Sequence, residues 1–414
     1  MINKDKITII GDATPPAEKG ALELFKESGI DTFVLYPNET DHYGAIERCG
    51  EAGLDVFPFG GSPICESNAK YFADAVGKFP NYFERYRREG ADLDAYPQVR
   101  GLYMIDEPGA DLFAQIREIY VPWFNERYAG KKRWHVNMLP SYSTDEQLGV
   151  TARAGETIYE TFLDRYVEQV QKAVKGTKSL GVDHYPMREK QGKISLSEDW
   201  LFDLAVAGNA ARRSDSIFSV CIQVFCTEGL ARVQSKADVS FQFYTGMAFG
   251  ASMFEIYAYT TSHGFEAMLF DDGTPSPAYG FVRDAVRELR SLEKEYLKYD
   301  FRGVRCCAPA GERVAAFDKI RKYQAEEIVG LREVTVTGNT LVSQFTDEAG
   351  KHAYLFVNYG MPSLSESNRV TAAFDRAREA VVFANGDRNA MPLENGKITL
   401  LLDPGQGVFV IPEQ

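Results

Sequence analysis

Val99-Arg100-Gly101-Leu102-Tyr103-Met104-Ile105-Asp106-Glu107-Pro108 is an apolar, strand-like run that stops at two adjacent carboxylates and then at a proline. Pro108 has no backbone N–H to give to a sheet ladder, so pairing ends there. Regular alternation puts Leu102 and Met104 on one face of such a strand and Tyr103, Ile105 and Glu107 on the other. Glu107 is therefore expected among bulky apolar neighbours, where a carboxyl pKa rises and the group can hold a proton near neutral pH, as a general acid must. Acid groups at the C-terminal ends of strands are where barrel enzymes keep their chemistry. The competing reading is a helix N-terminus, with Asp106 or Glu107 capping a segment that starts near Ala110.

Outward from this stretch, residues 7 to about 298 alternate short apolar runs with longer amphipathic ones. The short runs number eight, at 7–10, 32–36, 56–59, 101–105, 134–139, 179–185, 217–225 and 253–259. Eight strands alternating with helices is the arithmetic of a (β/α)8 TIM barrel. A doubly wound sheet is the competitor, but no G-x-G-x-x-G follows the first strand. Helices are expected at 17–28, 67–88, 156–174 and 277–296, the first three ending near glycines and the last carrying an early proline. Beyond residue 300 the period changes to two, with strands expected at 331–337, 340–346, 352–358, 370–374, 380–383 and 398–402 and a closing strand before Pro412. The expected α/β architecture is thus a catalytic barrel over residues 1–299 followed by a small antiparallel β-sandwich domain over 300–414.

Composition narrows the function. The 414 residues are 44% hydrophobic and 13% aromatic, enough for a well-filled core, and the net charge of −13 argues against nucleic acid, which needs a clustered basic surface. The basic runs Arg85 to Arg88 and Lys131 to Arg133 are short and read as solvated residues. No segment approaches a membrane span, and the N-terminus lacks the apolar run of a signal peptide, so a cytoplasmic protein is expected. Six cysteines without a C-x-x-C pair read as reduced thiols, and no cofactor motif is present.

Strand parity indicates which side chains converge, because one face of a barrel strand packs on helices and the other points into the barrel. On the fifth strand Trp134, Val136 and Met138 form the apolar parity, leaving His135 and Asn137 inward. The sixth turns in Gly181, Asp183 and Tyr185; the seventh Ser219, Cys221 and Gln223; the eighth Glu255, Tyr257 and Tyr259. Asp12 and Tyr36 stand near the ends of the first two strands. For each polar residue the alternative is a satisfied core group, and for each tyrosine ordinary wall packing. Glu228, in the loop after the seventh strand, reads equally as an accessible acid or a helix cap.

Carboxyls, amides and tyrosines at one mouth suit glycoside hydrolysis: carboxyls supply proton and nucleophile or base, amides grip hydroxyls, and aromatic faces cover the apolar side of a sugar. With Tyr103-Met104-Ile105-Asp106-Glu107-Pro108 on the fourth strand, and with the segments Val136-Asn137-Met138-Leu139-Pro140, Val182-Asp183-His184-Tyr185-Pro186 and Gly250-Ala251-Ser252-Met253-Phe254, the chain resembles glycoside hydrolases related to the family 42 β-galactosidases and to the family 123 and family 20 hexosaminidases. Family 42 enzymes place Asn-Glu on the fourth strand and a nucleophilic glutamate at the end of the seventh, where this chain has Asp106-Glu107 and Gln223. The hexosaminidase resemblance implies that Asp106 orients the substrate's acetamido group while Glu107 protonates the leaving oxygen. The expected activity is hydrolysis of a small oligosaccharide or glycoside, with Glu107 as general acid and Asp106 or Asp183 as second carboxylate, and with Asp12, Tyr36, His135, Asn137, Tyr185, Gln223, Glu255, Tyr257 and Tyr259 as substrate contacts. No resident metal is expected in that reading. A divalent-metal sugar isomerase using Glu107, His135, Asp183 and Glu255 is the second reading, and a non-catalytic sugar-binding barrel the third. Self-association into a homo-oligomer is compatible with a barrel of this size.

Overall fold

The structure is a computed structural model that describes residues 6–36, 41–60, 92–227, 229, 232–261 and 264–413. The helix expected at 67–88, the basic run Arg85 to Arg88, Cys65 and Glu228 lie outside the described residues.

The main sheet has eight strands: β1 (Thr8–Gly11), β2 (Thr32–Leu35), β3 (Asp55–Pro58), β4 (Gly101–Asp106), β5 (Arg133–Met138), β6 (Lys178–Val182), β9 (Ile217–Gln223) and β10 (Met253–Tyr257). Their order is β3-β2-β1-β10-β9-β6-β5-β4, and each of these strands falls within a residue of an expected run at its start. Parallel bridges from Val56 to Val99 and from Phe59 to Tyr103, with the Gly60 N–H donating to the Tyr103 carbonyl at 2.7 Å, join β3 to β4 and close the sheet on itself. The fold is a parallel (β/α)8-type barrel. An antiparallel hairpin that alternation did not reveal, β7 (Met187–Lys190) with β8 (Lys193–Leu196), follows β6.

The helices start and stop where local chemistry directs. In α1 (Lys19–Glu27) the chain leaves the helix through Ser28 and Gly29, whose φ of +85° suits a residue without a Cβ. The helix α4 (Ile158–Gln169), which follows α2 (His42–Glu51) and α3 (Val121–Arg127), is opened by a capping box: Glu160 N–H donates to Thr157 Oγ1 and Thr157 N–H to Glu160 Oε2. After α5 (Trp200–Arg213) and α6 (Lys236–Ala248) comes α7 (Pro277–Tyr296), with Ser276 as its cap and proline at its first position. Ring contacts place the outward parity against helices, where Trp134 meets Phe124 of α3 at 5.2 Å and Phe254 meets Phe243 of α6 at 4.9 Å; on β2, Phe33 meets Phe25 of α1 at 5.1 Å.

Two antiparallel sheets follow. One orders β11 (Asp300–Cys307), β13 (Thr340–Thr346), β14 (His352–Asn358), β19 (Gly407–Glu413), β16 (Glu379–Ala384) and β17 (Asp387–Pro392); the other orders β12 (Leu331–Val336), β15 (Asn368–Phe374) and β18 (Lys397–Leu402). Val342, Phe356 and Val410 from the first and Val370, Ala372 and Leu402 from the second belong to one buried apolar cluster. Strands β11 and β17 were not expected from sequence. Strand β17 is exposed along nearly all its length, so it carries no alternation of polar and apolar residues to read.

Two compact units emerge. One holds Ile9–His184 with Val206–Cys221, the other Tyr185–Ala205 with Ile222–Gln414. Within the second unit the six-stranded sheet is seated on α6 and α7. Ser343 Oγ donates to the Ala248 carbonyl at 2.7 Å, and the Tyr296 ring meets Phe345 at 5.4 Å. Gly405, at φ +74°, passes so close to α6 that a Cβ would lie 2.2 Å from the Ala237 carbonyl oxygen.

Candidate active site

The C-terminal ends of β1, β4 and β6 carry Asp12, Asp106 and Asp183, all in the first unit. Asp12 is buried, accepts a hydrogen bond from the Ala13 N–H at 2.6 Å, and accepts a second from the Tyr36 hydroxyl at the end of β2. Ala13 itself has φ +53°, a left-handed conformation that a residue with a Cβ adopts only under constraint. The same feature recurs at Glu107, with φ +49° directly after Asp106.

Strand β4 departs from the regular alternation on which the choice of Glu107 rested. Against β5, Tyr103 pairs with His135, but Ile105 pairs with Val136 and Asp106 with Asn137, leaving Met104 as the extra residue of a bulge. One inserted residue exchanges the faces of everything after it. Asp106 therefore shares a face with Tyr103, and the Tyr103 hydroxyl donates to Asp106 Oδ1 at 3.0 Å. The expected grouping of Tyr103, Ile105 and Glu107 is corrected accordingly. Glu107 lies half-buried beyond the strand, its N–H donating to the Asn137 carbonyl at 2.9 Å.

The inner face below these groups is aromatic. Tyr36 meets Phe59 at 4.9 Å, Phe59 meets Tyr103 at 5.0 Å, and Tyr103 meets His135 at 4.7 Å. Asp106 keeps a partial opening to solvent, yet packed protein surrounds its carboxyl. Desolvation, then the negative charges of Asp183 and Asp12, hold its pKa well above the usual carboxylate range, against hydrogen bonds from Tyr103 and Asn137 that pull it down. The Tyr36 phenol is likewise pushed upward, first by burial and then by Asp12.

Asn137 is 2% exposed, and its Oδ1 has no hydrogen-bond partner. It lies over Gly181, its neighbour on β6, where a Cβ would come within 2.7 Å of Oδ1. Gly181 thus makes room for the amide that bonds Asp106. Asp183 is buried, and its N–H donates to the Met138 carbonyl at 2.9 Å. His135 is fully buried, with Nδ1 2.9 Å from Ser179 Oγ, and desolvation followed by the Arg133 charge depresses its pKa to about 3. It is a neutral core imidazole below the carboxylates, the bland alternative for this position.

The remaining expected contacts belong to the second unit. Gln223 is fully buried and spends its amide on the backbone of Met187, accepting from its N–H at 2.9 Å and donating to its carbonyl at 3.0 Å. That is a structural staple for the hairpin, which corrects the expectation of a substrate contact. Glu255 and Tyr259 are buried. Tyr185 and Tyr257 are half-buried and lie 5.6 Å apart, both against Phe225, which in turn stacks on Phe265 at 5.0 Å. Phe265 and Tyr103 were missed by the sequence reading. The partnership of Tyr103 with Asp106 had one available signal, that an inward tyrosine lies three residues before an acid. Among the described residues no group of three His, Cys, Asp or Glu side chains is spaced to hold a metal ion, so the set Glu107, His135, Asp183 and Glu255 does not assemble as ligands.

No family model matches the chain, and no curated protein matches it in sequence. Among solved structures it is similar to a catalytic mutant of Gan42B, a GH42 β-galactosidase from G. stearothermophilus, at 9% identity over 99% of this chain and 98% of that one, with a TM-score of 0.49. A β-galactosidase from the psychrophilic Marinomonas ef1 is similar at 9% identity, 98% and 100% coverage and a TM-score of 0.49. The maltogenic α-amylase AmyB from Thermotoga neapolitana is similar at 10% identity, full coverage of both chains and a TM-score of 0.46.

Proposed function

We propose that the chain is a glycoside hydrolase acting on a small oligosaccharide or glycoside, with its proton donor at the end of β4 and Asp183 as base or nucleophile. The observation that carries this reading is the set of three carboxylates at strand ends, in which burial first, and then the charges of Asp183 and Asp12, raises the pKa of Asp106 well above the usual carboxylate range. Two carboxyls with proton affinities driven apart are what an acid and a base, or an acid and a nucleophile, require. Asp106 takes the acid role in place of Glu107, since the bulge turns Asp106 toward Tyr103 and Asn137. Hydrolysis by one carboxyl protonating the leaving oxygen and another acting at the anomeric carbon needs no redox group. The free thiols of Cys49, Cys221, Cys226, Cys306 and Cys307 support a cytoplasmic location.

The test is turnover of an aryl-glycoside panel by wild type, Asp106→Asn, Glu107→Gln and Asp183→Asn. Loss of about 10²–10⁴-fold in Asp106→Asn and Asp183→Asn is expected, the usual range for removing an acid–base group. Full activity in Asp106→Asn with loss in Glu107→Gln would return the acid role to Glu107. No turnover of any glycoside by the wild type would remove the hydrolase reading.

A further inference from the structure

The loop that follows the C-terminal end of β5 carries an aromatic ring out to solvent within the first unit. Among the described residues of that unit, Ile119 and Tyr142 are the large hydrophobic side chains left exposed. Ile119 belongs to the helical segment Ile116–Tyr120, whereas Tyr142 lies against the residues that follow β6. Its ring meets that of the fully buried His184 edge to face at 4.9 Å and 75°, and its hydroxyl is 3.5 Å from the Asp183 carbonyl oxygen. The chain on either side of it is fixed. The Ser143 N–H donates to the Pro140 carbonyl at 3.1 Å, and Thr144 and Gln147 close a capping box on the helical turn Asp145–Leu148. A Cβ on Gly109 would come within 2.8 Å of the Gln147 carbonyl oxygen, so this loop lies against the one that follows Asp106 and Glu107. Tyr142 is thus 42% exposed, yet little of its freedom is left to lose on binding. A surface aromatic standing singly is ordinary; an immobilised one against the backbone of a proposed catalytic carboxylate is placed to meet what that carboxylate acts on.

We propose that Tyr142 is a stacking platform for a second pyranose ring, and that the substrate is an oligosaccharide of at least two rings in preference to a simple glycoside. The inference rests on the carbohydrate reading and names the class of substrate. Asp12 and Asp183 are buried and Asp106 is only partly open, so the ring whose bond is cut is held among enclosed groups. A ring on the exposed Tyr142 is its neighbour along the saccharide. A pyranose presents a face of C–H bonds and an edge of hydroxyls, and the face is the part that gains by leaving water for an aromatic surface. The Tyr142 hydroxyl is directed at the Asp183 backbone, so the ring rather than the phenol oxygen is what this residue offers the sugar.

Calorimetric binding to the full chain decides it, independent of turnover. The ligands are the methyl glycosides of gluco and galacto configuration and the corresponding methyl disaccharides, α- and β-linked through sulfur so that they resist hydrolysis. At least one disaccharide is expected to bind wild type about fivefold more tightly than its monosaccharide, the scale of gain that one aromatic contact provides. In Tyr142→Ala that advantage should vanish while monosaccharide binding stays unchanged, and in Tyr142→Phe it should persist. Circular dichroism checks the folding of each variant, and Tyr142→Leu serves should the alanine variant not fold. No binding by any disaccharide, no disaccharide advantage in wild type, an advantage that survives in Tyr142→Ala, or an equal loss of monosaccharide binding in that variant overturns the proposal. A disaccharide preference that depends on Tyr142, without turnover of any glycoside, leaves it standing and removes the hydrolase reading; hydrolysis of glycosides with no dependence of binding on Tyr142 does the reverse.

Discussion

Asp106 couples stability to activity through one proton. Its folded pKa lies above the value for an exposed aspartate, so the folded state binds the proton more tightly than the unfolded chain does. The resulting contribution to stability is complete below the unfolded pKa and disappears as pH rises through the folded value. At neutral and alkaline pH wild type therefore carries a cost that Asp106→Asn lacks. Thermal melts should show Asp106→Asn equal to or above wild type at pH 8, with the difference vanishing or reversing at pH 4; a lower Tm at pH 8 would contradict the assigned direction. Turnover that needs protonated Asp106 should fall on the alkaline side, at a pH well above the ordinary aspartate range. In Tyr36→Phe, which removes one of the donors to Asp12, substrate affinity should weaken more than kcat falls, measured as a rise in KM.

Elements fix what a residue's neighbours are, and β4 and β6 do so in a way that can be probed by single methyl groups. Gly181→Ala would put a Cβ within 2.7 Å of Asn137 Oδ1 and 3.3 Å of the Val136 carbonyl, so the amide must shift away from Asp106. Overpacking of this kind costs about 1–3 kcal/mol. Because the Asn137 hydrogen bond lowers the Asp106 pKa, the alkaline limb of the pH–rate profile should move to higher pH in this variant. An unmoved limb in a folded Gly181→Ala protein would separate Asn137 from the working carboxyl. The hairpin of β7 and β8 depends on Gln223 in the same local manner. Gln223→Leu removes the amide partner of the Met187 N–H and one of the two donors to the Met187 carbonyl, which keeps the Arg232 N–H at 3.4 Å, and a loss of about 1–3 kcal/mol in urea unfolding is expected.

At the scale of the whole molecule, a chain cut at the expected boundary is not expected to be a stable barrel. Tyr296 and Tyr299 pack on Phe409 at 6.0 and 5.9 Å, and Phe241 packs on Tyr359 at 5.8 Å, so removal of residues 300–414 would strip the aromatic cover from α6 and α7. Residues 1–299 expressed alone should aggregate or melt well below the full chain, as read by light scattering and circular dichroism; a cooperative melt near that of the full chain would show the barrel to be self-sufficient. No helix among the described residues is long and apolar enough to cross a membrane.

Strands and helices were legible in the sequence because hydrophobic periodicity is a local property, written residue by residue along the chain. The eight barrel strands, the helix at Pro277–Tyr296 and the outward parity of Trp134 and Phe254 follow from it. Acids at strand ends were legible for the same reason. A bulge is different: whether Met104 is accommodated in or squeezed out of the ladder depends on how β4 pairs with β5, which no spacing within Tyr103 to Glu107 reveals. Only the closed sheet decided that Asp106 faces inward with Tyr103, that Asp12 and Asp183 charge its surroundings, and that Gln223, polar and inward by parity, is occupied by a backbone 36 residues away. Electrostatics and hydrogen bonding act through space, so they belong to the tertiary structure; amphipathic pattern acts along the chain, so it belongs to the sequence.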